Sequence, residues 1–314
     1  MLNRIVEIET DGVHLSLFRG FVKVTSKGEE LGRVAMPDIA GLVVRGYGAS
    51  ISLNLVARLA QENIPVVLCG TDQSPASVVW PVAGHHGQGH IIEAQARLTK
   101  PQHKRLWQSL ISAKIKAQAG ALDASGEDGD DLKSMSRRVK SGDPDNLEAQ
   151  AARRYWPRMM GLDGDPFVRD QNGSGLNGWL NYGYAVLRAG AARSVLAAGL
   201  HPSLSIHHIS RGEPLRLTSD LMEPFRPWID LTVIRLAADA KGDVPELNSD
   251  VKKAIVRTLS LDLYGPHGVS PLQTCLDRLA QSFAAVCLGE RRILELPRGL
   301  ALAGLDYAAK KTQG

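Results

Sequence analysis

The stretch RIVEIETDGVHLSLFRGFVKVTSKGEELGRVAMPDIAGLVV, Arg4–Val44, decides the fold class. It divides into short apolar runs with partial alternation at Arg4–Glu9, Val13–Phe18, Phe21–Ser26, Leu31–Met36 and Ile39–Val44, punctuated by Gly12, Gly20, Gly28 and Pro37. Side chains of a strand point alternately to its two faces, so such runs between turn residues predict strands, the first four antiparallel. After Gly46-Tyr47-Gly48 the spacing turns helical over Ser52–Gln61, with Leu53, Val56, Leu59 and Ala60 on one stripe. Ile64–Cys69 returns as a buried-type strand and Val78–Trp80 as an edge strand.

From about Ile91 the pattern becomes helical. Gln102–Leu122 carries Leu106, Leu110, Ile111, Ile115 and Ala119 near helical spacing. Further helices are expected at Asn146–Met160, Leu176–Ala198, Leu221–Ala238, Ser249–Leu261 and Pro271–Leu288. Gly126–Pro144, acidic then basic, reads as a loop or frayed helix end, with Arg137, Arg138 and Lys140 as solvated surface; Gly161–Gly175 reads as a loop. Strands first and helices after argue for segregated layers, hence an α+β protein. The expected organisation is a β-rich domain over 1–80, a linker over 81–90 and a helical domain over 91–314. His85, His86 and His90 cluster in that linker without an acid or cysteine beside them, which favours a solvated loop over a metal site.

The chain has 314 residues, a net charge of +4 and three cysteines, Cys69, Cys275 and Cys287, with no C-x-x-C pair. An odd cysteine number without that pairing fits a reducing cytoplasm and excludes a zinc ribbon. No uncharged apolar run of membrane-spanning length occurs, and Met1–Thr10, which carries acids and no long apolar run, is not expected to serve as a signal peptide. Residues 1–80 carry a net charge of −1 and the remainder +5, a balance common in proteins that bind no nucleic acid, so any contact with phosphate is expected on the C-terminal part.

Three places concentrate chemistry. In Asn146–Trp156, Glu148 stands on a helix with Arg153 and Arg154 after it; alone it reads as a surface glutamate. Gly199-Leu200-His201-Pro202 ends a helix and turns the chain into Ser205-Ile206-His207-His208, which places histidines on a loop. In Ser219-Asp220-Leu221-Met222-Glu223-Pro224-Phe225-Arg226-Pro227, Asp220 and Glu223 share a helix face as candidate ligands, or form a capping box. Together these supply two or three carboxylates and an imidazole. Mg²⁺ and Mn²⁺ favour oxygen donors, and Mn²⁺ also accepts imidazole. Such an ion can orient a phosphate and stabilise charge on its oxygens.

At these residues the chain resembles the CRISPR-associated adaptation integrases, the type II members in particular. The resemblance is carried by Leu147-Glu148-Ala149 with Tyr155-Trp156, by Gly199–His208, by Ser219–Pro227 and by Asn177-Gly178-Trp179-Leu180-Asn181-Tyr182-Gly183-Tyr184. It implies a metal-dependent DNA endonuclease and strand-transfer integrase that inserts short duplex DNA into a CRISPR array by 3′-hydroxyl attack on a phosphodiester. It implies Glu148, His208 and Glu223 as the catalytic and metal-binding residues with Mg²⁺ or Mn²⁺, and a homodimer built through the β domain, flanking a dimer of the second adaptation protein. Asp220, His207, Asn181 and Tyr182 are candidates to support that site, and Arg153, Arg169 and Arg226 are candidates to contact DNA phosphates. Where the family often has glycine, this chain has Ser205. Two alternatives are a non-catalytic DNA-binding scaffold of the same fold and a dinucleotide-binding oxidoreductase. The latter would use Gly46 and Gly48 with Asp72 after the next strand, although Ile51 stands where a third glycine belongs.

Overall fold

The structure, a computed structural model, describes residues 4–62, 64–71, 75–79, 87–161, 167–210, 212–240 and 246–301. Strands β1 (Arg4–Ile8), β2 (His14–Phe18), β3 (Phe21–Ser26), β4 (Glu29–Ala35), β5 (Ile39–Val44) and β6 (Ser50–Ile51) precede helix α1 (Leu53–Gln61) and strands β7 (Val66–Cys69) and β8 (Pro75–Val79). Helices α2 (Gln88–Ala96), α3 (Lys100–Ser125), α4 (Asp130–Arg138), α5 (Leu147–Met160), α6 (Leu176–Ala197), α7 (Arg216–Met222), α8 (Arg226–Asp239) and α9 (Ser249–Val256) follow. The described residues close with β9 (Asp262–Gly265), β10 (Gly268–Pro271), α10 (Leu272–Cys287) and β11 (Gly299–Leu300). A β-rich N-terminal part is thus followed by a mostly helical part. No helix among the described residues is long and apolar enough to cross a membrane.

The strands β2, β3 and β4 form the expected antiparallel meander. Its two hairpins turn on Arg19-Gly20 and Lys27-Gly28, all four residues at positive φ. Two consecutive positive-φ residues give the turn whose twist matches a two-residue hairpin. The first strand departs from expectation: β1 lies parallel to β5, β5 parallel to β7, and β8 closes that sheet antiparallel. Burial on both faces of β5 accounts for this. Leu42 faces the N-terminal core, while Val43 meets Val67 and Ala189 of α6. The parallel sheet is therefore the layer that seats the β part on the helices. In α1 the buried stripe is Leu55 and Leu59, and Leu53, expected on it, is 85% exposed.

Gly46 lies where the strand β5 leaves the sheet. A side chain there would come within 2.1 Å of the Thr10 carbonyl oxygen. The glycine serves this backbone approach, and α1 is capped by Ser52, whose hydroxyl accepts from the Leu55 N–H. Asp72, Trp80, His85 and His86 lie outside the described residues, as does most of the expected linker, whereas His90 is on α2.

The helical core is continuous from Ile91 to Leu294 and includes Trp107, Tyr155, Trp179, Phe225, Trp228 and Phe283. Gly126–Pro144 is more ordered than expected. It holds α4, which buries Leu132 and Met135 and opens on Asp130-Asp131 and ends on Arg137-Arg138, the charge order a helix dipole favours. The helix expected over Leu221–Ala238 starts earlier, at Arg216, and is interrupted by a 3-10 turn over Glu223–Phe225. Pro224 and Pro227 lack the N–H groups an unbroken helix would use, which explains the break. The short sheet of β9, β10 and β11 was not anticipated.

Candidate functional site

The site forms where α3, α5 and the 3-10 turn between α7 and α8 meet. Glu148 is in the first turn of α5, whose N–H groups are capped from outside: the Asp143 carboxylate accepts from Leu147 N at 2.9 Å and from Glu148 N at 3.0 Å. Glu223 opens the 3-10 turn, its side chain 3% exposed. Between the two stands Lys114 of α3. Its Nζ is 2.6 Å from Glu148 Oε1 and 2.6 Å from Glu223 Oε2. Arg226 Nε reaches the other Glu223 oxygen at 3.3 Å.

These charges hold one another ionised. Burial opposes charge on Lys114, but Glu223 and Glu148 together lift its pKa above the ordinary lysine value. Burial likewise works to raise Glu223, yet Arg226, Lys114 and then His208 draw it below the usual carboxylate value. His208 thus lies within the electrostatic reach of Glu223.

Asp220 does not cap a helix: α7 begins four residues before it, with Leu215 at the cap position. Its fully buried carboxylate organises the histidine loop instead. One oxygen accepts from Ile206 N at 2.6 Å and His207 N at 3.1 Å; the other accepts from His208 N at 3.2 Å and lies 2.6 Å from His208 Nδ1. That contact, ahead of the opposing effect of burial, raises the His208 pKa. With Nδ1 held by a carboxylate, Nε2 is the ring nitrogen left for a ligand, the arrangement common in metal-binding histidines. His207 turns away and stacks on Trp107, centroids 4.1 Å apart and planes 7° apart. Ser205 donates its hydroxyl to the His208 carbonyl at 2.6 Å, closing the loop.

Beside the cluster lies a polar cavity of about 550 Å³, lined by Lys114, Gln118, Trp156, Arg169, Asn181, Tyr184, Arg188 and Arg226 among others. Asp230 builds its wall. Tyr155 and Tyr184 donate their hydroxyls to it at 2.9 and 2.5 Å, and burial pushes its pKa up to about 6 despite both bonds. Tyr184 in turn carries the guanidinium of Arg226 at 4.8 Å and that of Arg169 at 5.3 Å from its ring centre. Arg169 donates to Asn177 at 3.0 Å and Asn181 at 2.5 Å, so the two asparagines of α6 hold the 168–172 loop over the cavity.

The structure thus gathers Glu148, Glu223, His208, Asp220 and Arg226, with Arg169 and Asn181 at the cavity. It does not gather the others. Arg153 is exposed and lines none of this cavity. Tyr182 faces the β part, donating to Glu9 at 2.9 Å under the Arg45 guanidinium. Sequence reading missed Lys114, Gln118, Asp143 and Asp230. The signal for the first two was present: with Leu110, Ile111, Ile115 and Ala119 they share the apolar stripe of α3, an odd place for a lysine and a glutamine unless each meets a polar partner.

Among the described residues no three of His, Cys, Asp and Glu stand close enough to share a metal ion. In this arrangement an ammonium bridges the two carboxylates. The donor types nevertheless fit Mg²⁺ or Mn²⁺, and a cation already stands between them.

Against this geometry the comparisons with known proteins are specific. Residues 6–252 match the family described as CRISPR associated protein Cas1. The chain belongs to the Cas1 family. This Cas1 chain is 33% identical over 300 residues to the CRISPR-associated endonuclease Cas1 of Neisseria meningitidis serogroup C (strain 8013), covering 95% of this chain and 97% of the relative. In fold it is similar to a casposase bound to integration product, with a TM-score of 0.73, 19% identity, and 93% of this chain and 92% of the other covered. It is also similar to a Cas6-RT-Cas1–Cas2 complex, with a TM-score of 0.70 and 16% identity, covering 92% of this chain and 35% of that longer one.

Proposed function

We propose that this Cas1 protein is a metal-dependent DNA endonuclease and integrase that joins the 3′-hydroxyl of a short duplex to the phosphorus of a phosphodiester in a CRISPR repeat, breaking that phosphodiester and releasing the repeat strand's own 3′-oxygen as a new 3′-hydroxyl. One observation carries the reading: Glu148 and Glu223, from separate helices, converge on a single cation, with His208 oriented beside them by Asp220. Glu148, His208 through Nε2, and Glu223 would hold Mg²⁺ or Mn²⁺, which supplies charge neutralisation at a scissile phosphate.

The protein's own groups do the positioning. Asp143 fixes the helix turn that carries Glu148, and Asp220 fixes the imidazole. Arg226 and Arg169, stacked on Tyr184, present guanidinium forks to phosphate oxygens along the cavity. Phosphoryl transfer asks little covalent chemistry of a protein, so alignment of the attacking hydroxyl and stabilisation of charge on the phosphate dominate. With water in place of the hydroxyl, the same alignment gives strand cleavage.

The β-rich part is assigned to homodimer formation, and a dimer of the second adaptation protein is assigned as partner in the cytoplasm. Support for the partners comes from the solved relatives of this fold, one bound to an integration product and another in complex with Cas2. The test is integration of a short duplex into a supercoiled plasmid carrying repeats, with Mg²⁺ or Mn²⁺ and with or without the second adaptation protein. Wild type is expected to transfer strands, and Glu148→Ala, His208→Ala and Glu223→Ala to lose transfer. Equal activity of wild type and Glu148→Ala would overturn the assignment and favour the scaffold reading.

A further inference from the structure

We propose that Lys114 and the divalent ion exclude one another, so that loading the site drives the lysine ammonium into the arginine-lined cavity and makes it a contact for DNA phosphate. The inference rests on the metal reading above and adds a positioning residue to it. Lys114 Nζ touches Glu148 Oε1 and Glu223 Oε2 at 2.6 Å each, so those two oxygens stand at most twice that distance apart. An ion bound to both, at roughly 2.1 Å from each oxygen, needs the space the ammonium fills. Two cations cannot share that gap.

A destination for the ammonium is built in. Lys114 lines the 550 Å³ cavity, and its four-carbon stem allows a swing without movement of α3. One helical turn on, Gln118 lines the same cavity, is 4% exposed, and has its carbonyl oxygen buried without a hydrogen-bond partner. A buried acceptor without a donor is costly. Residues four apart on a helix are neighbours, so this oxygen can receive the displaced ammonium.

Charge gives the exchange a consequence. Glu148 and Glu223 are balanced by Lys114 and Arg226. A divalent ion adds two positive charges to that balance, and the backbone of DNA is the anion that can offset them. Lys114 therefore couples the two ligands: without DNA it holds the metal-free form, and with DNA it becomes part of the phosphate site. The cost to metal affinity follows from population, because the apparent affinity falls by the fraction of molecules in which the ammonium is out of the way.

The test is Mn²⁺ titration followed by the electron paramagnetic resonance signal of the free ion, with and without a short DNA duplex, on wild type, Lys114→Met, Lys114→Arg and Glu148→Ala. Lys114→Met is expected to bind Mn²⁺ about tenfold or more tightly than wild type when DNA is absent. DNA is expected to tighten Mn²⁺ binding in wild type by a larger factor than in Lys114→Met, and Lys114→Arg to remain as weak as wild type. Lys114→Gln gives the same reading should the methionine variant not fold. Glu148-dependent Mn²⁺ binding that is unchanged or weaker in the folded neutral variants overturns the exclusion and leaves the metal site standing. Mn²⁺ binding in wild type that is indifferent to Glu148→Ala overturns both.

Discussion

Replacing Asp220 by asparagine isolates the group on which the histidine loop depends. The carboxylate receives three backbone N–H groups and the His208 ring while fully buried. Asparagine keeps one acceptor oxygen and puts an NH₂ group at the other. With the NH₂ toward Ile206 and His207, two backbone donors lose their acceptor; with it toward His208, that backbone N–H loses its acceptor and the ring must give up its Nδ1 proton, while every remaining contact loses the charge. Each hydrogen bond to a charged group contributes about 1.5–3 kcal/mol, so the substitution costs roughly 3–6 kcal/mol. At about 2.1 cal/mol/K of unfolding entropy per residue, a loss near 4 kcal/mol lowers the melting temperature of 314 residues by roughly 6 °C. The damage is local first, so hydrogen exchange at the amides of Ile206, His207 and His208 should accelerate before the core does. Loss of the partner on Nδ1 should also weaken Mn²⁺ binding by about 10–100-fold. Unchanged exchange at these amides, with a melting temperature within about 1 °C of wild type, would refute the role given to Asp220.

Other substitutions test other joints of the structure. Asp230 has its pKa raised by burial to about 6, from the ordinary aspartate value of 3.8. Folding therefore favours its protonated form, and stability declines as pH rises from about 4 to 6, by roughly 3 kcal/mol in all. In urea unfolding from pH 4 to 7, Asp230→Asn should gain on wild type by about that amount, and parallel curves would contradict it. Arg169→Ala should weaken DNA binding across sequences and reduce the slope of log affinity against log salt by about one phosphate, as read by fluorescence anisotropy. Gly46→Ala would place a methyl group 2.1 Å from the Thr10 carbonyl and should destabilise the β-rich part by several kcal/mol in chemical denaturation, about 3 or more.

What the sequence revealed, and what it hid, follows from the range of the forces involved. Local rules were enough for the hairpins at Arg19-Gly20 and Lys27-Gly28 and for the long stripe of α3. They failed at β1, whose parallel partner β5 lies about thirty-five residues on and is chosen by burial on both faces, a tertiary effect. The helix α4 was hidden by its charge, although acids at its start and arginines at its end are what a helix dipole favours. The Asp-x-x-Glu spacing admitted either a cap or a site; the helix start at Arg216 removed the cap, and Asp220 proved to serve a loop twelve to fourteen residues upstream. Lys114 was the largest omission. Its meaning depends on two glutamates brought to it by α5 and by the proline-broken turn, and no pattern within α3 states that.

The central assignment, one ion held by Glu148, Glu223 and the Nε2 of His208, is reached most directly by pulsed electron paramagnetic resonance of bound Mn²⁺. A single imidazole nitrogen should modulate the echo in wild type, and that modulation should vanish in His208→Ala. Modulation that persists in His208→Ala, or is absent from wild type with Mn²⁺ bound, would contradict it.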